Sequence, residues 1–145
     1  MNVSQCMSTD VKVCAPGDTI RDAARTMKAI DAGFLPVGEN DRLVGMITDR
    51  DLAVRALAED RGPNTPVREV MSAEVLYCYD HEDLDDVAQQ MSDLQVRRLP
   101  VLNREKRLVG VISLGDISHA EDDGGIRTAA ALAAVTQPSA RHSQI

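Results

Sequence analysis

Aromatic side chains are almost missing from this chain: of 145 residues two are Tyr, one is Phe and none is Trp. With 43% apolar residues a core is still affordable, but it has to be built from Val, Leu, Ile, Met and Ala. No apolar run reaches the roughly 18 residues that a membrane span requires, so no such span is expected. The opening MNVSQCMSTD has no basic stretch leading into an apolar one, so it does not read as a secretory signal. Positive charge is in deficit, with a net charge of −7. An acidic chain repels phosphate backbones and anionic lipid at long range, so neither nucleic acid nor membrane is an expected partner. Any anionic ligand has to be held by a local arrangement. The three Cys form no metal spacing and fit a reducing compartment, so a cytoplasmic location is expected.

What the chain does have is an internal repeat. Shifted by 64 residues, Val3, Met7, Ser8, Val11 and Cys14 fall on Val67, Met71, Ser72, Val75 and Cys78. Ile20, Ala23, Ala24, Met27 and Ile30 fall on Leu84, Val87, Ala88, Met91 and Leu94, and Leu35-Pro36-Val37 on Leu99-Pro100-Val101. One inserted residue then moves the offset to 65, which puts Leu43-Val44-Gly45, Ile47, Thr48 and Asp51 on Leu108-Val109-Gly110, Ile112, Ser113 and Asp116. The expected organisation is a first repeat over 1–60, a second over 61–123, and an Ala-rich helix (Ile126 to Val135) with a tail over 124–145. A 60-residue unit alone buries only about 60% of its unfolded surface, so each copy gains by packing on the other.

Each half reads strand, helix, strand, strand, helix, an α/β fold. Val11 to Cys14 is a short strand ended by Pro16-Gly17-Asp18. Thr19 and Asp22 form a capping box for a helix with Ile20, Ala23, Ala24, Met27 and Ile30 on one stripe. Phe34 to Val37 is the second strand, Glu39-Asn40-Asp41 a polar turn, and Leu43 to Ile47 the third. The tight turn implies an antiparallel hairpin. The helical connection implies a parallel first strand. A second helix follows from Asp49 to about Glu59, with Leu52, Ala53, Ala56 and Leu57 on one face. Each sheet has helices on one face and an open apolar face, which a second copy covers.

Two segments carry chemistry: Gly45-Met46-Ile47-Thr48-Asp49-Arg50-Asp51 and Gly110-Val111-Ile112-Ser113-Leu114-Gly115-Asp116. Each places a hydroxyl at the start of a helix and a carboxylate three residues later. A helix N-terminus offers free N–H groups and partial positive charge. A hydroxyl there can donate to a phosphate oxygen, and a carboxylate in the first turn can accept from the two hydroxyls of a ribose. The same spacing is a capping box, so each motif has a purely structural reading beside the functional one.

Over roughly residues 1–120 the chain resembles tandem CBS-domain proteins, the modules named after cystathionine β-synthase. The resemblance rests on Met7-Ser8 and Met71-Ser72, the two Leu-Pro-Val strands, the doubled Leu-Val-Gly-φ-Ile-[ST]-x-x-Asp motif, Gly45 to Leu52, and Val96 to Val101. It implies two pseudo-symmetric repeats in one module. It also implies an adenosine-containing ligand (AMP, ADP, ATP, S-adenosylmethionine or an NAD-type compound) in clefts between them, with an adenine nucleotide expected here in an energy-sensing, regulatory role. Asp51 and Asp116 would then take the ribose, and Thr48 and Ser113 would lie near phosphate. Family members often pair into a flat disc, so a homodimer is expected, with an effector protein encoded elsewhere.

Arg97 and Arg98 stand where the first repeat has Gly33 and Phe34. Guanidinium suits phosphate, but neighbouring strand residues face opposite ways, so one of the two at most is expected to point inward. Arg50 stands where the second motif has Gly115, and an exposed helix start is its competing reading. These differences make unequal occupancy of the two sites the expectation. Cys14 and Cys78 are equivalent and read as small buried hydrophobes, the alternative being redox or metal chemistry. Cys6 corresponds to Val70, and His81, His119 and His142 show no ligand spacing. With no nucleophile–base pair, metal cluster or phosphate-binding loop legible, an enzyme is not expected. The alternative to a ligand sensor is a ligand-free dimerisation or interaction module that acts on a separate protein.

Overall fold

The computed structural model describes residues 1–120 and 132–135. The expected C-terminal helix and tail therefore lie outside the described residues except for 132–135, which are helical. Two compact units form. One comprises Val11–Leu76 with Lys106–Leu108; the other comprises Met1–Asp10, Tyr77–Glu105 and Val109 onward. The compact units thus differ from contiguous stretches of sequence: Met1–Asp10 packs in the second unit, with residues from the other half of the chain.

In the first unit, helix α1 (Ile20–Ile30) is followed by strands β1 (Phe34–Glu39) and β2 (Arg42–Thr48). The strands pair antiparallel, closing at Glu39↔Arg42 around Asn40 and Asp41. Both turn residues have positive φ (55° and 62°), the backbone of a type I′ hairpin turn and one that Asn and Asp tolerate. Thr19 Oγ1 accepts the Asp22 N–H at 3.1 Å, the forward bond of the expected capping box. Of the expected α1 stripe, Ile20, Ala23 and Met27 are buried, whereas Ala24 is exposed and Ile30 is 39% exposed. The expected second helix begins as α2 (Asp49–Asp51), widens into a π turn (Leu52–Ala56) and tightens into a 3-10 turn (Leu57–Glu59).

The expected strand Val11 to Cys14 is not a strand. Only Cys14 bridges, parallel to Val37. Its N–H donates to the Pro36 carbonyl at 3.1 Å, and its own carbonyl accepts from Gly38 at 2.9 Å. Extending this ladder either way requires an N–H from Pro36 or Pro16, and proline has none. In the second unit the position of Pro16 is taken by Asp80, whose N–H bonds the Leu102 carbonyl at 2.9 Å. There a true strand forms, β3 (Cys78–Tyr79), parallel to β4 (Arg98–Leu102). The second unit also contains α3 (Leu84–Leu94), β5 (Leu108–Ser113) and α4 (Leu114–Ala120), and its sheet runs β3-β4-β5.

Both cores are aliphatic. Cys14, Met27, Leu35, Val37, Ile47, Val67 and Val70 fill the first. Val3, Cys78, Leu84, Met91, Leu99, Val101, Ile112 and Ile117 are buried in the second. Val3 and Val67 sit in equivalent 3-10 turns (Val3–Gln5 and Val67–Glu69), each fully buried. The segments after those turns cross the hairpin strands. Ser72 exchanges two backbone hydrogen bonds with Met46 (2.8 and 2.9 Å), and Ser8 exchanges two with Val111 (both 2.9 Å). Gly45 and Gly110 make the crossings possible. A Cβ on Gly45 would lie 2.7 Å from Met71 Sδ, and one on Gly110 would lie 2.7 Å from Met7 Sδ.

Candidate functional site: the two strand-to-helix turns

The close crossing fixes where each hairpin strand ends and the following helix begins. At the end of β2, Thr48 Oγ1 accepts the Asp51 N–H at 3.0 Å, and Asp51 Oδ2 accepts the Thr48 N–H at 2.9 Å. At the end of β5, Ser113 Oγ accepts the Asp116 N–H at 3.1 Å, and Asp116 Oδ2 accepts the Ser113 N–H at 2.9 Å. These are reciprocal capping boxes, so the structural reading of the motif holds in both copies. The functional reading is not thereby displaced. Each hydroxyl accepts and still carries a proton to donate. Each carboxylate uses Oδ2 for the cap and has Oδ1 left. Asp51 Oδ1 lies 4.0 Å from Arg55, and its side chain is 16% exposed, so it is held in place yet reachable. The cap orients the acceptor before any ligand arrives, which lowers the ordering cost of binding.

The arginines differ in placement. The Arg97 carbonyl accepts the Leu114 N–H at 3.0 Å, which ties its backbone to the start of α4. Gly33 does the same for Asp49 at 2.9 Å in the first unit. The second motif therefore has a guanidinium stem at its edge where the first has open backbone. In the first unit that space is bounded by the Asp49 carboxylate, 3.0 Å from where a Gly33 Cβ would lie. Arg97 and Arg98 are both exposed. β4 begins at Arg98, so Arg97 precedes the pleat. Arg50 is exposed in the first turn of α2, where its N–H donates to Asp49 Oδ1 at 2.8 Å.

Cys14 and Cys78 are free thiols in the two cores. Burial pushes Cys14 up to about 11, with Asp18 adding to the shift. Burial pushes Cys78 up to about 12, with Glu82 next in effect. A thiolate, the form that ligates metal or attacks, is therefore disfavoured at both. Cys6 is raised by burial first and then by the Asp116 carboxylate, which places it within electrostatic reach of the second motif. His81 stacks on Tyr79 with ring centroids 5.4 Å apart, His119 is exposed on α4, and His142 lies outside the described residues. Among the described residues no group of three or more His, Cys, Asp or Glu is placed to hold a metal ion. No helix among them is long and apolar enough to cross a membrane.

The Met-Ser crossings were legible only as repeated letters. Their role had one physical signal, a Gly inside each hairpin strand, where a missing side chain marks a close backbone approach.

Known proteins share this architecture. A CBS-domain model matches the chain twice, over residues 3–57 and 67–123. The CBS domain-containing protein YhcV of Bacillus subtilis is 42% identical over 117 residues, 81% of this chain and 83% of that protein. The solved structure of Hypoxic Response Protein I, with two coordinated zinc ions, superposes with a TM-score of 0.76 at 32% identity, covering 83% of this chain and 99% of that one. The CBS domain pair of protein MJ0100, in complex with 5′-methylthioadenosine and S-adenosyl-L-methionine, gives 0.71 at 28% identity over 83% and 96% of the two chains. CBSX2 in complex with AMP gives 0.72 at 25% identity over 82% and 94%. With both repeats matched and the strand-to-helix motif present in each, the chain belongs to the CBS-domain family as a tandem pair.

Proposed function

We propose that this chain is a cytoplasmic regulatory module that binds an adenosine-containing ligand, an adenine nucleotide first among the candidates, and that it works as a homodimer. The observation that carries the reading is the doubled motif. Two hydroxyl–carboxylate pairs stand at equivalent strand-to-helix turns, each preset by its own cap and each with an acceptor oxygen to spare. Two structural neighbours crystallised with adenosyl compounds support the ligand class. In this reading Asp51 and Asp116 accept from ribose hydroxyls, and Thr48 and Ser113 donate to phosphate. Arg97 adds charge at the second site and Arg98 stands next to it. Arg50 is the corresponding cation at the first. The sites are unequal because only the second has an arginine before its strand. The chain takes no part in chemical turnover, and its output passes to a separately encoded effector.

A second reading has its own observation. Both motifs are fully explained as helix caps, which is what a ligand-free interaction module would retain. A thermal-shift screen against AMP, ADP, ATP, S-adenosylmethionine, NAD and NADH separates the two. A ligand at about 100 times its dissociation constant adds roughly 2.7 kcal/mol, a shift of several degrees. A shift with one compound names the input. No shift with any of them, in protein shown by mass spectrometry of the denatured sample to carry no nucleotide, leaves the interaction module.

A further inference from the structure

The first motif has a neighbour that the second lacks. Arg55 lies four residues after Asp51, in the π turn over Leu52–Ala56 that continues α2. Its Nη1 stands 4.0 Å from Asp51 Oδ1 and donates to the Met71 carbonyl at 3.1 Å. In repeat register Arg55 is replaced by Ala120, the last residue of α4. Among the described residues no cation pairs with Asp116 as Arg55 does with Asp51.

Stability alone is a poor account of this arrangement. A separation of 4.0 Å is too long for a hydrogen bond, and an ion pair whose Arg side chain is 49% exposed contributes little. The Met71 contact has a different effect. It anchors the guanidinium against the segment that crosses β2 at Gly45, which is itself held by the two bonds between Ser72 and Met46. One N–H is spent on that carbonyl, and a guanidinium has five. The others are held beside Asp51 Oδ1, the carboxylate oxygen that the cap leaves over. The π turn agrees with this, since such turns are uncommon and occur frequently at functional sites. An acceptor and a donor fixed side by side fit a vicinal diol: one hydroxyl donates to the carboxylate oxygen, and its neighbour accepts from the guanidinium.

We infer that Arg55 is a specificity-determining residue of the first site: Asp51 accepts from one ribose hydroxyl and Arg55 donates to the other. With Oδ2 committed to the Thr48 N–H, Asp51 alone has one uncommitted oxygen for two hydroxyls. Arg55 supplies the second contact, so the first site reads the whole diol. The second site, with Ala120 in that place, reads the sugar less strictly. The inference rests on the adenosine-ligand reading of the motif and adds how the first site recognises the sugar.

Calorimetry of the full, nucleotide-free chain with AMP, 2′-deoxy-AMP and 3′-deoxy-AMP tests it, with Asp116→Asn as the background so that the first site dominates. Each deoxy compound is expected to bind roughly tenfold or more weakly than AMP, the usual loss for a hydrogen bond to a charged group. Arg55→Met keeps the apolar stem and removes the donors. It should weaken AMP roughly tenfold and abolish discrimination against one of the two deoxy compounds while keeping it against the other. Arg55→Lys keeps a charge without the fork and should fall between. Unchanged thermal melts verify folding, and an Arg55 that only braced the turn would weaken all three compounds alike. Equal affinity ratios with Arg55 and with Arg55→Met, or AMP binding that is present in wild type and absent from the Asp116→Asn protein, overturn the role of Arg55 and leave the nucleotide reading standing. Wild type that binds no AMP overturns both.

Discussion

Gly110→Ala is expected to cost far more than a methyl group ordinarily does. The added Cβ would stand 2.7 Å from Met7 Sδ and 2.8 Å from the Ser8 carbonyl oxygen, where about 3.5 Å is the comfortable limit. The thioether can swing aside, but the carbonyl cannot. It is tied to Val111 N–H at 2.9 Å, and Ser8 N–H returns the bond to Val111 at 2.9 Å. Relief therefore means prising the Met7-Ser8 crossing off the strand. Overpacking contributes about 1–3 kcal/mol, and two weakened hydrogen bonds about 1 kcal/mol each, so about 3–5 kcal/mol is expected in total. In urea, with a slope of about 2 kcal/mol per molar, the midpoint should fall by about 1.5–2.5 M. Gly62→Ala is the control: nothing lies within 4 Å of its added Cβ, and its stability should stay within about 0.5 kcal/mol of wild type. A Gly110→Ala protein as stable as that control would refute the argument that the glycine exists for the crossing.

Asp116→Asn keeps an oxygen to cap the Ser113 N–H but gives up the charged acceptor, so it should hold its melting temperature and bind an adenosyl ligand roughly tenfold or more weakly in calorimetry; equal affinity in both Asp51→Asn and Asp116→Asn would remove the carboxylates from the site. Ser113→Ala loses the forward cap as well and should lower stability by about 1 kcal/mol in urea titration, whether or not ligand is present. The buried thiols predict an alkaline limit. Unfolded chains release the Cys proton near the ordinary 9.0, whereas folded Cys14 and Cys78 hold theirs to about 11 and about 12. Above pH 9 the unfolded state therefore binds fewer protons and stability falls as pH rises through that window; a Cys78→Ala protein with the same alkaline slope between pH 9 and 11 would speak against it. At pH 8 both core thiols should react with a disulfide reagent only as fast as the protein opens, with Cys6 faster.

The repeat carried most of what the sequence could say. Equal spacing of Leu-Pro-Val, Leu-Val-Gly and the hydroxyl–carboxylate pair placed the hairpin strands and both helix starts, because those features depend on residues close together in the chain. The misreadings have local causes of another kind. Val11 to Cys14 alternates like a strand, yet Pro16 and Pro36 withhold the N–H groups at both ends of its ladder, and Pro36 lies far along the chain. The α1 stripe is covered only in part, with Ala24 and Ile30 exposed, since periodicity identifies an apolar face without saying what covers it. Asp49 to Glu59 is helical throughout but changes pitch twice, which no propensity indicates. The motif residues themselves were legible in place and spacing, while their reciprocal caps leave the ligand to experiment.

The Met1–Asp10 segment sets an order of events during synthesis. It leaves the ribosome well before its partners do: Val3 N–H bonds the Glu82 carbonyl, and Ser8 pairs with Val111. Until Asp80 to Asp83 emerge the residues around Val3 have no native partner, and Ser8 has none until β5 is made. Most of the first unit, by contrast, can close soon after Ser72 is made. The segment thus docks late, and the folding rate of the second unit is tied to the long loop closure that brings Ser8 to Val111.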